Sequence, residues 1–331
     1  MIAIKPFMAS IMRTLEDHRA SDGGYRRRKA DPPASDLYGT VDAVILMYTL
    51  DKLPAEGTTA HAELVQTLQS FQQPDGLFPG DGHPPIHGTA FAISALELLD
   101  AKPLRPLVAL DALKSREGLY TFLEALDWKR QPWGESLKGA GLYAALVLAG
   151  EVDSQWENGY FDWLWEESDP VTGLWRRGAV PVVADHSGDA PLFHHLAGSF
   201  HYLFNQEYRK RPLRYPDRLA DTCLALDEAG ELPRTTDKFS FQELDVLYLV
   251  SRVAMQTDHR RAELYALMRG IGTGLLDFIE SLPKGEDDVL TEDLHALCGT
   301  VCALAIVQFV MPEQVDADVE LQRVLERRPF I

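Results

Sequence analysis

The chain has 331 residues, of which 46% are apolar and 25% charged, with a formal net charge of −18. That composition belongs to a folded globular protein, and its diffuse negative field excludes nucleic acid or an anionic membrane surface as a general partner. Cys223, Cys298 and Cys302 are too few, and odd in number, for a disulfide framework, which points to a reducing, cytoplasmic setting.

The first twenty residues, "MIAIKPFMASIMRTLEDHRA", soon become charged, so no secretory signal is expected, and no segment reaches the roughly 18 apolar residues of a membrane span. An amphipathic helix is predicted near residues 5–18, followed by a long loop over 19–36 that carries "DGGY" and "YRRRK". A wholly apolar helix then starts with "YGTVDAVILMYTL" at Tyr38. The same alternation returns along the chain. "PDGLFPGDGHPPIHGTAF" joins an amphipathic helix to the apolar "HGTAFAISALELL" at His87, and "KGAGLYAALVLAG" follows at Lys138. "HLAGSFHYLF" at His195, "ELDVLYLVSRV" at Glu243 and "CGTVCALAIVQFV" at Cys298 continue the series. A short helix near 316–327 closes it.

Glycines 23, 76, 173, 230 and 285 end the amphipathic helices at a period of roughly 50 residues. Glycine at these turns supplies the positive φ that stops a helix, and after Gly23, Gly76 and Gly173 the aromatic two places later can pack back on it. Only the unit near Trp133 lacks the turn. Helices apolar on most faces are buried, and amphipathic ones cover them. Six such pairs predict an all-α chain, a closed (α/α)6 toroid that forms a single domain over residues 1–331.

"FQQPDGLF" followed by "HGTAFAISALELL" resembles the glutamine–aromatic repeat of the terpenoid cyclase and protein prenyltransferase toroids. The resemblance implies a double ring of helices. The cyclases' acidic DxDD signature and the prenyltransferases' zinc ligands have no counterpart here. "DPVTGLWRRG" at Asp169 is similar to segments of six-hairpin sugar enzymes such as unsaturated glucuronyl hydrolases.

Connections from inner to outer helices are short, whereas those from outer to inner helices are long: roughly 19–36, 74–86, 127–135, 168–190, 228–239 and 283–290. The long loops should gather over the inner-helix N-termini, where function concentrates on a rigid scaffold. Tyr38, His87, Lys138, His195, Glu243 and Cys298 share one repeat column at these helix starts. The column holds groups suited to proton transfer. Catalytic candidates are therefore His87, His195, Glu243 and Asp42. Substrate-binding candidates are Tyr38, Lys138, Trp133, His194, Asp245, Asp293, His295, Arg176 and Arg177.

Some of these residues also suit helix caps or packing. Converging helix N-termini, with Arg176, Arg177, Arg234, Lys284 and "YRRRK", suggest an anionic ligand. His295, Cys298 and Cys302 lie on one helical stripe with zinc-like chemistry, but small buried side chains in a tightly packed helix explain the cysteines, and no metal or other cofactor is expected. No phosphate-binding loop, dinucleotide fingerprint or nucleophile elbow is present. The favoured function is a hydrolase, lyase or epimerase acting on an anionic sugar or oligosaccharide. An isoprenoid-handling enzyme and a noncatalytic binding protein are the alternatives.

Overall fold

The computed structural model describes residues 2–181, 189–235, 241–283, 290–316 and 320–327. Among these the chain is all-α apart from one short parallel pair, β1 (Ile2–Ala3) with β2 (Val315–Asp316). The amphipathic series is α1 (Lys5–His18), α3 (Thr59–Ser70), α5 (Arg116–Glu124), α7 (Ser154–Glu167), α9 (Pro216–Glu228) and α11 (Arg261–Ser281). The apolar series is α2 (Leu37–Thr49), α4 (Pro85–Leu98), α6 (Pro132–Ala149), α8 (Leu192–Tyr208), α10 (Phe241–Gln256) and α12 (Leu294–Val310). The two series differ in burial as their patterns require. α1 buries Phe7, Ile11, Thr14, Leu15 and His18, a single stripe, whereas α12 is buried at every position from Leu297 to Val307.

The apolar helices pack on one another in chain order. α2 lies against α4, α4 against α6, α6 against α8, α8 against α10 and α10 against α12, and α12 returns to α2. The amphipathic helices pack outside these pairs, α3 on α2 and α4, α7 on α6, α9 on α10, and α11 on α10 and α12.

A recurring joint explains the repeated glycine–hydroxyl pair at the start of the apolar helices. Thr40 Oγ1 accepts from the Tyr25 amide at 3.1 Å, Thr89 Oγ1 from Phe78 at 2.9 Å, and Ser199 Oγ from Trp175 at 3.0 Å. Each hydroxyl donates in turn to the carbonyl one turn earlier, at Asp36, Pro85 and His195. The aromatic residue of each outer turn is thereby tied to the next inner helix. The preceding glycine makes room: a Cβ on Gly39 would lie 2.3 Å from the Arg26 carbonyl carbon, and one on Gly88 would lie 2.0 Å from the Pro79 oxygen.

The C-terminal segment crosses the opposite end of this array. The Gln322 amide donates to Thr49 O at the end of α2, and the Leu321 amide to Gln308 Oε1 near the end of α12. α13 (Val324–Arg327) packs on both α2 and α8 and accepts a hydrogen bond from Tyr248 on α10 at the Leu325 carbonyl. Arg327 pairs with Glu97 on α4. One short piece of chain thus links α2, α4, α8, α10 and α12. Among the described residues the predicted helix near 316–327 is helical only over Val324–Arg327, Asp316 belonging to β2 and 320–323 being irregular.

Candidate functional site

The N-terminal ends of α2, α4 and α12 bring together Tyr38, Asp42, His87, Asp293 and His295. Asp36 caps α2, accepting from the Gly39 amide at 2.7 Å and from the Arg27 amide at 2.6 Å, and this holds the first long loop against the helix start. The same loop runs beside the start of α12. The Leu294 amide donates to Arg27 O, and both ring nitrogens of the fully buried His18 lie 2.8 Å from backbone carbonyls, at Arg26 and Thr291.

This seam brings Arg27 onto Asp293 in a bidentate pair at 3.0 and 3.2 Å, with Arg28 Nε 3.3 Å from the same carboxylate. Burial works to raise the Asp293 pKa, but the Arg27 hydrogen bonds and charge outweigh it and hold the carboxyl below its ordinary value. Asp293 also caps α12 by accepting from the His295 amide.

Tyr38 and His87 form the centre of the group. Their rings are parallel within 2°, and the Tyr38 hydroxyl lies 2.8 Å from His87 Nδ1. His83 stacks across both, with centroids 4.6 Å from His87 and 5.2 Å from Tyr38. The Arg27 guanidinium sits 5.9 Å from the Tyr38 ring centre. Burial, with the nearby Asp42 charge, pushes the Tyr38 pKa upward. Burial and neighbouring histidines push that of His87 well down. Tyr38 therefore keeps its proton and His87 stays neutral.

His295 meets the edge of this arrangement, its ring 5.5 Å from Tyr38 at 76°, with Phe91 5.9 Å and Phe241 4.5 Å away. Its Nδ1 is 3.0 Å from Oδ1 of Asp42, a carboxylate with no exposed surface. A carboxylate accepts only, so Nδ1 carries a hydrogen and Nε2 keeps its lone pair in the neutral ring. Cys298, one turn along α12, lies beside Asp42 and Cys302, and burial pushes its thiol pKa well up. Among the described residues no group of three or more His, Cys, Asp or Glu is arranged to hold a metal ion. A cleft of about 450 Å³ opens beside Tyr38, lined also by Arg27, Arg28, Asp31, Ser35, Asp36 and Asp81.

Tyr38, Asp42, His87, Asp293 and His295 are thus brought together. The other sequence candidates are placed elsewhere. His195 is wholly buried, its Nδ1 3.2 Å from Trp175 O, and burial pushes its pKa down to about 4. Trp133 packs near His194 at 6.2 Å, and Lys138 pairs with Glu135 at 2.6 Å. The two lie deeper in a helix than expected, because α6 starts at Pro132 where a loop to residue 135 was predicted. Glu243 accepts from Thr235, while Asp245, two residues on, is buried and has its pKa pushed well up by burial and by Glu243.

Arg176 and Arg177 do not join the cluster. Arg176 pairs with Glu124 on α5 and Glu167 on α7, and Arg177 with Glu167. Arg234 pairs with Asp227, and Lys284 and Gly285 lie outside the described residues. The sequence reading held Arg27 only as part of "YRRRK", and it missed His83, Phe91 and Phe241 as site residues. Only His83 had a visible signal, in the proline-rich loop four residues before His87.

Among the described residues no helix is long and apolar enough to cross a membrane. No protein-family model, curated protein or solved structure matches the chain significantly.

Proposed function

We propose that the chain is a single (α/α)6 toroid, residues 1–331, and that it is a carbohydrate-active enzyme of lyase or epimerase type, moving a proton on an acidic sugar at the inner-helix N-termini. The return of α12 to α2 supports the ring, and the bridged far end supports a hollow with one mouth. Three free, buried cysteines fit a reducing compartment such as the cytoplasm.

The observation that carries the function is the contact between two acid–base pairs, Asp42–His295 and Tyr38–His87, whose nearest rings are 5.5 Å apart. His295 Nε2 is the base: Asp42 fixes the tautomer and stabilises the imidazolium that forms. Tyr38, kept protonated, is the acid. His87 acts through it, since the tautomer with hydrogen on Nδ1 holds the Tyr38 oxygen and frees its hydroxyl hydrogen for the substrate. The proton beside a sugar carboxylate becomes removable when a cation offsets the charge that develops. Arg27 and Arg28, at the cleft, are placed for that.

Hydrolysis suits the site less. It needs two carboxyl groups flanking the bond. Asp42 is engaged by His295, and Glu243 and Asp245 are buried two residues apart on one helix. The aromatic contacts of His295 with Tyr38, Phe91 and Phe241 favour an isoprenoid, but Phe91 has no exposed surface and neither phenylalanine lines the cleft.

Incubating the protein with uronate-containing oligosaccharides in heavy water tests the proposal by NMR. The expected result is loss of the C5 proton, by elimination or by replacement with deuterium. Hydrolysed products that retain the C5 proton would refute it.

A further inference from the structure

The surroundings of His18 make a demand that a neutral ring does not meet. The residue has no exposed surface, with Nδ1 2.8 Å from Arg26 O and Nε2 2.8 Å from Thr291 O. Backbone carbonyls only accept, so each contact needs a hydrogen on its nitrogen. Neutral imidazole carries one such hydrogen and imidazolium carries two. We infer that His18 is a buried imidazolium acting as a proton-operated clamp. Doubly protonated, it locks the first long loop onto the start of α12, and loss of one proton releases that seam beside the cleft.

The position in the chain favours the charged form. His18 is the last residue of the 14-residue α1, where unpaired carbonyls give the helix its negative end and stabilise a cation. The loop is gripped twice at one residue: the Arg26 amide donates to His18 O at 2.9 Å, and the His18 ring donates back to Arg26 O. Thr291 stands 273 positions away, just before the residues that pair with the loop. There the Leu294 amide donates to Arg27 O, the Lys29 amide donates to Glu292 O at 3.4 Å, and Arg28 bridges to Asp293. His18 therefore ties α1, the loop and the α12 start together at one point. A ring with a single hydrogen keeps one carbonyl and turns a lone pair on the other, acceptor against acceptor.

The other charged groups on the joined elements, among the described residues, have their own arrangements. Asp17 pairs with Lys29, Arg19 with Glu63, and Arg27 and Arg28 with Asp293. The Arg26 guanidinium donates to Lys29 O and Asp17 O, and Glu16 and Glu292 are exposed. Burial pushes the Tyr25 pKa up. Against burial, Arg27 holds that of Asp293 down, so neither group changes charge near neutral pH. His83 and His295 belong to the ring group around Tyr38. Releasing the clamp frees the loop that supplies Arg27, Arg28, Asp31, Ser35 and Asp36 to the cleft, so the opening there follows the proton on His18.

Nitrogen NMR reads the ring and amide hydrogen exchange reads the seam, from about pH 5 to about pH 9, a span covering the range in which imidazole changes charge. The expected result is hydrogen on both His18 nitrogens at the acid end and on one at the alkaline end. Over the same span, protection of the Arg26 and Leu294 amides, corrected for the intrinsic rate, should fall by about tenfold or more relative to amides within α8. His18→Gln, which offers one donor nitrogen in place of two, should show the low protection at every pH. A pH-dependent loss that persists in this variant would assign the proton to another group and overturn the clamp. One bare nitrogen on His18 throughout, or both hydrogens retained with protection unchanged, would also overturn it. Should the variant fail to fold, the wild-type ring and exchange measurements still decide between these outcomes.

Discussion

Replacing His295 with glutamine is expected to lower kcat on a uronate substrate by about 10²–10⁴-fold, the range a positioned general base contributes. KM should change little if substrate is held, as proposed, by Arg27 and Arg28 at the cleft rather than by the imidazole. The partner change, Asp42→Asn, separates orientation from basicity. Asparagine can still accept from Nδ1, so the ring stays in place, but the negative charge that stabilises the imidazolium is gone. It should therefore lose activity comparably without a change in melting temperature. Initial rates and thermal melts of both variants check this, and full activity in either would remove His295 from the chemistry.

The second large effect is on stability, at the bridged end. Arg252 on α10 is only 2% exposed, pairs with Glu207 on α8 at 3.4 Å and Glu326 on α13 at 2.6 Å, and stacks over Tyr248. Removing one partner of a buried ionic group leaves the others uncompensated, at about 3–5 kcal/mol. The two glutamates keep 13% and 20% of their side-chain surface, and Glu207 still pairs with Lys210 and Glu326 with Arg323, so Arg252→Met should cost no more than the low end, at most about 3 kcal/mol. A lower melting temperature and faster proteolysis of the C-terminal segment are the expected readouts. Adding Glu207→Gln and Glu326→Gln should recover part of the loss. An unchanged melting temperature would mean that the segment is held by its backbone bonds and apolar contacts alone.

The all-α class and the two helix series were legible because burial imposes a period on the sequence. α1 shows its stripe, and α12 shows an unbroken apolar run that only a buried helix can carry. The repeated glycine–hydroxyl pair was visible as a pattern. Its cause was not: the hydrogen bonds from the Tyr25, Phe78 and Trp175 amides appear only in three dimensions. The early start of α6 was misjudged because "QPWGES" contains both Pro and Gly, which reads as loop, although proline is well suited to the first helical turn.

At the site, Tyr38 and His87 could be found because their repeat column marks the inner-helix starts, and Asp42 because it lies one turn deeper. That His295 rather than His195 faces a carboxylate could not be read, because the choice depends on which helices are neighbours and α12 closes on α2 from the far end of the chain. The same closure brings Arg27 onto Asp293, 266 positions away in sequence. Arg176 and Arg177 lie away from this cluster. Their charge suggested a ligand, yet glutamates on α5 and α7 already pair with it.

A double-mutant cycle on Tyr38→Phe and His295→Gln tests the central claim most directly, since groups that act in one proton-transfer event do not contribute independently. The account predicts that each single variant loses most of the turnover and that the double variant is little worse than the poorer single one. Losses that multiply, or a double variant that still removes the C5 proton at the wild-type rate, would contradict a shared acid–base centre at this end of the molecule.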